Sequence, residues 1–311
     1  MKERKLAIVV HGGAGPASSF LHQNIQAYEE GLEQAVNIGY QLLEQGGSAI
    51  DAVQAAVEAL ENNPLFNAGR GSALNNKGEV EMCASIMDGK NLRSGAVALV
   101  KNIKNPVSLA RAVMQDSPHV FLGCEGAVAF ARKMNIEMEE DNYFVVQHQL
   151  ESFQKMKTEE EHNPELQVKG HGTVGAVACD SEGNVAAATS TGGIEFSHAG
   201  RIGDSASVGA GVYANNETCA VSATGQGEVI IKHVLCHQLH TLMELKNMSL
   251  RDAAPFVIYD KLKHEKEDMG IIAVDSKGNI GMAFNSERMH RAWKTSDGEM
   301  GKAIFAGKGH E

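Results

Sequence analysis

Residues 168–180 read VKGHGTVGAVACD, and the chain changes character between Gly172 and Thr173, where a polar tract gives way to an apolar alternating run. Threonine is a weak nucleophile at neutral pH because its hydroxyl keeps its proton and needs a base beside it. Breaking the peptide bond between Gly172 and Thr173 would change that. Thr173 would then carry a free α-amine with a pKa of ~7.7–8.0, neutral enough to take the hydroxyl proton. One residue would supply both nucleophile and base. Gly172 suits such a break, since glycine tolerates a strained conformation in which the threonine oxygen approaches the preceding carbonyl. The plain alternative is that Thr173 is only the first β-branched residue of a strand.

The stretch TSTGGIEFSHAGRIGDS sets Thr191 at a strand end, then Arg201 and Asp204 on a glycine-flanked turn. A guanidinium can hold a carboxylate bidentately, and a carboxylate can hold an ammonium. The pair therefore suits the zwitterionic end of an amino acid. As a surface ion pair it would contribute only roughly 0–1 kcal/mol. Further on, SATGQGE precedes a predicted helix. The Thr224 hydroxyl and the Gly225 amide could point there at a developing oxyanion, and losing one such donor costs ~3–4 kcal/mol of transition-state stabilisation. Thr224 could equally be a helix cap.

These residues need elements to position them. KLAIVV predicts a buried strand ending in the glycine loop HGGAG. Helical spacing covers residues 24–45, and Ser48 caps a second helix that NNP ends at Pro64. EVEMCASIM and SGAVALV predict strands, and Asn105 with Pro106 starts a helix. Helices are expected to continue to Met156, followed by a flexible linker over 157–172. TVGAVACDSEGNVAAATS and IIAVDSKGNIGMAFN each predict a hairpin, with helices over 227–245 and 250–263 between them. The order strands, helices, strands, linker, strands, helices, strands favours an α+β fold of layered sheets covered by helices.

The 311 residues suffice for a large core, and 43% hydrophobic with 22% charged residues is ordinary globular composition. A formal net charge of −11, with no basic stripe interleaved with aromatics, excludes a nucleic-acid partner. The odd set Cys83, Cys124, Cys179, Cys219 and Cys236, without a CxxC, reads as reduced core residues in a cytoplasmic protein. The apolar run at the start is too short for a signal-peptide core, and no run is long enough for a membrane span.

Taken in order, HGGAG, NAGRGSALN, GTVGAVA, TSTGGI, GRIGDS and SATGQGE resemble the plant-type asparaginase and isoaspartyl peptidase family of N-terminal-nucleophile hydrolases. The resemblance spans nearly the whole chain. It implies a four-layer αββα sandwich made as a precursor that cleaves itself into an N-terminal subunit, 1–172, and a C-terminal subunit, 173–311, which stay together as one globular domain. It further implies Thr173 as nucleophile, Thr191 as its hydrogen-bond partner, Arg201 and Asp204 as clamps for substrate carboxylate and ammonium, and Thr224 and Gly225 as oxyanion donors. Gly227 would contact substrate, Asn67 would support the site, and the loop at 11–13 would pack near the cleaved end. Catalysis would need no cofactor, while the backbone carbonyls of Leu60, Glu61, Asn63, Phe66, Ala68 and Arg70 would hold a structural sodium ion. The expected substrates are L-asparagine and β-aspartyl dipeptides, and the expected assembly is a dimer of cleaved heterodimers. Cys83 stands where the family usually has Asp, and Ala223 where it often has Thr, which points to altered packing or preference.

Other readings are weaker. A glycosylasparaginase would have Asp where Gly172 stands. GAGVYA at 209–214 fits a nicotinamide-binding fingerprint, but the polar NNETC that follows does not open a helix. His233, His237 and His240 have metal-site spacing, though a partly buried helix face explains them as well. SFQK at 152–155 matches a β-lactamase motif without its partner motifs. A binding protein on an inactive hydrolase scaffold is disfavoured because every matched site residue is present.

Overall fold

Small apolar residues in strict alternation let strands of this chain bury both faces, and the computed structural model, which describes residues 5–162 and 172–306, is built on that property. Strand β1 (Ala7–Gly15) is buried throughout. It does not stop before the glycines as expected, but runs through 11–15 with a bulge between His11 and Ala14. Helices Ile25–Glu44 and Ala49–Asn62 follow, and the Ser48 hydroxyl caps the second by accepting from Asp51 N–H at 3.3 Å. Strands β2 (Met82–Asp88) and β3 (Ser94–Val100) pair antiparallel, and helix Pro106–Asp116 starts behind Asn105. Strand β4 (Phe121–Gly123) adds parallel to β3. Helix Gln147–His162 then continues past Met156, so the first part of the expected linker is helical. Its remainder, 163–171, lies outside the described residues.

Beyond the seam, β5 (Val174–Cys179) and β6 (Val185–Thr191) form the expected hairpin. Strands β7 (Val212–Ala214) and β8 (Cys219–Gly225) pair next. The helix expected over 227–245 is two, Gly227–His233 and Leu235–Lys246, broken at Val234 with φ 49. The next one passes from an α-helix, Leu250–Pro255, into a wider π-helical turn, Phe256–Lys261. Strands β9 (Met269–Asp275) and β10 (Ile280–Phe284) make the second expected hairpin. A third pair, β11 (Arg288–Thr295) and β12 (Met300–Phe305), has no counterpart in the sequence reading.

The strands form an eight-stranded sheet, β12-β11-β1-β5-β6-β2-β3-β4, and a four-stranded sheet, β10-β9-β8-β7. Alternation sends Ile8 and Val10 of β1 towards the helices, while Ala7 and Val9 face the second sheet. Val177, Ala187, Val212, Ile272 and Val274 fill the same inter-sheet layer. Helices Ile25–Glu44, Ala49–Asn62 and Pro106–Asp116 cover the outside of the larger sheet, and Leu235–Lys246 with Leu250–Pro255 covers the smaller one. The fold is α+β, an αββα sandwich. Four of the five cysteines are buried as expected, but Cys124 is exposed, and all five are free.

Candidate active site

Thr173 directly precedes β5 and is 7% exposed. Val174, Ala176 and Ala178 face the helices while Val177 and Cys179 face the inter-sheet layer, so strand parity turns Thr173 inwards between the sheets. Gly172 before it has φ +104, in the left-handed region that glycine favours. A Cβ on Gly172 would stand 3.0 Å from the Asn67 Cβ, and one on Gly13 would stand 2.5 Å from the Gly172 Cα. Absent side chains thus let the 11–13 loop and Asn67 close directly on the seam.

His11 lies opposite Gly175 on the neighbouring strand. Its Nδ1 is 3.0 Å from the Thr173 carbonyl and its Nε2 is 2.8 Å from Ser222 Oγ. A carbonyl only accepts, so Nδ1 carries the proton and Nε2 accepts from the serine. Burial pushes the imidazole down to about 3, against the pull of the Thr173 carbonyl, which keeps the ring neutral. Ser222 meets Thr189 Oγ1 at 2.7 Å, and Thr189 reaches the Gly211 carbonyl at 3.0 Å. The sequence reading missed this buried row, because it joins three strands that are far apart in the chain.

Thr224 Oγ1 accepts from Ala14 N–H at 3.2 Å and lies 3.5 Å from the Thr173 carbonyl. Gly225 follows it with φ +128. Thr191 stands one step beyond the Val174 and Ser190 pair, hence across from Thr173, but its hydroxyl accepts from Gly193 N–H at 3.1 Å. The hydroxyl that meets Thr173 Oγ1, at 3.5 Å, belongs to Ser205. Ser205 was also missed, since a serine beside the matched Asp204 carries no pattern of its own. Asn67 ties two loops, donating to the Gly193 carbonyl at 2.7 Å and accepting from Ala73 N–H at 2.7 Å.

Arg201 and Asp204 converge at Gly227. A Cβ on that glycine would lie 2.7 Å from Arg201 Nη2 and 2.8 Å from Asp204 Oδ1. Glu228 holds Arg201 bidentately, at 2.9 Å to Nε and 3.0 Å to Nη2. That leaves Nη1 outside the pair. Asp204 is 3% exposed, and its Oδ2 has no hydrogen-bond partner. Burial pushes its carboxyl up to about 7, although Arg201 pulls it down. A buried carboxyl oxygen lacking a donor is a place where an ammonium would fit. Cys83 pairs with Thr191 across the sheet, and burial pushes its thiol up to about 11.

The carbonyls expected to hold sodium lie in the 60–70 turn. Those of Leu60, Asn63, Phe66 and Ala68 accept turn hydrogen bonds, and the Glu61 carbonyl accepts from Arg70 N–H at 2.7 Å. Each oxygen keeps a second lone pair. The Glu61 carboxyl accepts from Ser190 Oγ at 2.6 Å and Val107 N–H at 3.0 Å, which anchors the end of β6 beside Thr191. Other motifs separate. His233 pairs with Glu265 at 2.9 Å, whereas His237 and His240 pack on Tyr213. Among the described residues no group of three or more His, Cys, Asp or Glu could hold a metal. Residues 209–211 lead into β7 and not a helix, which removes the nicotinamide fingerprint. Ser152 donates to Glu195 at 2.7 Å on a helix, so SFQK is structural there.

Known proteins are similar to this chain over nearly all of its length. The asparaginase family model matches residues 4–304. The isoaspartyl peptidase of Salmonella typhimurium is 43% identical over 297 residues, 93% of this chain and 95% of the relative. The isoaspartyl peptidase/L-asparaginase of Xenopus laevis is 43% identical over 98% of this chain and 96% of its own length. The isoaspartyl peptidase of Escherichia coli is 41% identical over 98% of both chains. By the extent of these matches, the chain belongs to the asparaginase family.

Proposed function

We propose that this chain is a self-cleaving amidohydrolase that releases L-aspartate from L-asparagine and β-aspartyl dipeptides. In the precursor, Thr173 Oγ attacks the Gly172 carbonyl carbon. The Thr173 nitrogen leaves and takes the proton, and water hydrolyses the resulting ester to free Gly172 as a carboxylate. The new α-amine then accepts the Oγ proton as Thr173 attacks the substrate side-chain carbonyl. The amine returns that proton to the leaving nitrogen. Water resolves the acyl-enzyme to aspartate. Arg201 and Asp204 hold the aspartyl end, and Thr224 with the Gly225 amide stabilises the oxyanion.

The observation that carries this reading is the meeting of Arg201, Asp204 and Gly227 next to Ser205, whose hydroxyl touches Thr173. The test combines intact mass under denaturing conditions with sequencing of new N-termini and asparagine hydrolysis. Fragments corresponding to 1–172 and 173–311, together with activity that Thr173→Ala abolishes along with cleavage, are expected. An active Thr173→Ala protein would sink the mechanism. We extend the proposal to a structural sodium ion on the 60–70 carbonyls, a dimer of cleaved heterodimers and a cytoplasmic setting. No helix among the described residues is long and apolar enough to cross a membrane.

A further inference from the structure

A cavity of about 250 Å³ adjoins the seam, with Gly172 and Asn67 in its wall. By volume it would take about eight waters, enough for one amino acid. Three buried side chains bring unused polar atoms to it. Arg288 is 7% exposed and donates through Nε to the Pro16 carbonyl at 3.1 Å and through Nη1 to the Gly13 carbonyl at 3.3 Å. Among the described residues its Nη2 makes no hydrogen bond and no carboxylate lies within ion-pair distance, although the charges of Asp268 and Glu287 act on it from further away. A buried guanidinium without a direct ion pair is unusual.

His290 is 3% exposed, and its Nε2 has no partner. Its Nδ1 lies between Arg288 Nη1, at 3.0 Å, and the Gly12 carbonyl, at 3.2 Å. Gln149, 6% exposed, donates to the Gly71 carbonyl at 2.8 Å and leaves its Oε1 unpaired. The set is one cationic donor, one imidazole nitrogen and one acceptor. The cavity's remaining walls include the rings of Phe20 and Tyr28, Tyr28 stacking on His290 at 4.7 Å. Glu195, also in the wall, is engaged by Ser152.

Resting on the function proposed above, we infer that this cavity receives the leaving amino acid of a β-aspartyl dipeptide, with Arg288 binding its α-carboxylate. Direction follows from proton transfer. The Thr173 α-amine hands its proton to the leaving nitrogen, and that amine sits where the bond to Gly172 was, so the leaving group departs towards the wall that Gly172 forms. Gln149 Oε1 can accept an N–H from the departing amine, and the aromatic wall accommodates an apolar side chain. Ammonia from asparagine has no carboxylate and gains nothing here.

The test uses the cleaved wild-type enzyme and two substrates, β-aspartyl-leucine and the same dipeptide with its C-terminal carboxylate converted to an amide. Loss of a charged hydrogen-bonding group predicts kcat/KM lower by about tenfold or more for the amide. In cleaved Arg288→Met the two substrates should converge. A wild-type ratio near one, or an Arg288→Met variant that keeps the wild-type ratio, overturns the subsite while asparagine hydrolysis leaves the enzyme's function standing. If cleaved wild type hydrolyses neither dipeptide nor asparagine, the functional reading fails and the subsite falls with it.

Discussion

The charge on Asp204 decides how the empty site meets an ammonium group. Burial lifts its carboxyl from 3.8 to about 7, so kcat/KM for asparagine should rise with pH through about 7. A bound ammonium holds the carboxylate ionised, so kcat should change less. A pH profile of Asp204→Asn that kept this rise in kcat/KM would assign it to another group. The sign for stability is opposite. A carboxyl whose folded pKa exceeds its unfolded value stabilises the protein below the unfolded value, and that contribution is lost as pH rises through about 7. His11, neutral above about pH 3, adds no step in that window. For Arg201→Ala, losing two charge-assisted bonds predicts KM up by roughly 100-fold with a smaller change in kcat. At this scale the matched motifs placed Thr173, Arg201, Asp204 and Thr224 in one site, since each sits in a short glycine-rich run. Ser205 and Arg288 were illegible, and His11 was expected only as part of a loop near the cleaved end, because their roles depend on neighbours many residues away.

Among the elements, β5 carries the tightest constraint. A Cβ on Gly175 would overlap Ser222 Oγ and His11 Nε2, whose hydrogen bond holds the ring that donates through Nδ1 to the Thr173 carbonyl. Gly175→Ala should therefore destabilise the precursor by about 1–3 kcal/mol and slow cleavage, read by denaturant melts and by timed intact mass. Gly126→Ala, in a helix with open space around it, serves as the control and should cleave at the wild-type rate. The two hairpins were legible because Asp and Gly at fixed turn positions punctuate apolar alternation. In both, the Asp side chain accepts from turn amides, Asp180 from Glu182 and Asn184 and Asp275 from Lys277 and Asn279. The break at Val234 was not, because it is imposed from outside the helix. Cys236 and His237 donate their N–H groups to the Ala210 and Gly209 carbonyls, which ends one helix and starts another. Strand β11 was hidden by composition, since RMHRAWKT looks solvated, yet Arg288, His290 and Arg291 in it are buried.

Across the whole molecule, the eight-stranded sheet interleaves the two prospective fragments. Strand β1, from residues before the seam, is bonded on one side to β5 and on the other to β11, both from after it. On the other edge of the β5 and β6 hairpin, β6 is bonded to β2. A cut between Gly172 and Thr173 removes no strand from the sheet, so the fragments should co-elute in size-exclusion chromatography and separate only under denaturing conditions. Fragments that parted in native buffer would contradict this topology. The same interleaving gives maturation a checkpoint character. His11 comes beneath Thr173 only once β1 has inserted between β5 and β11, so a misassembled chain keeps its threonine amide-bound and chemically silent. On the self-cleavage proposed above, competence to hydrolyse would be conferred by the fold upon itself, and a population of cleaved molecules would be a census of those that folded correctly.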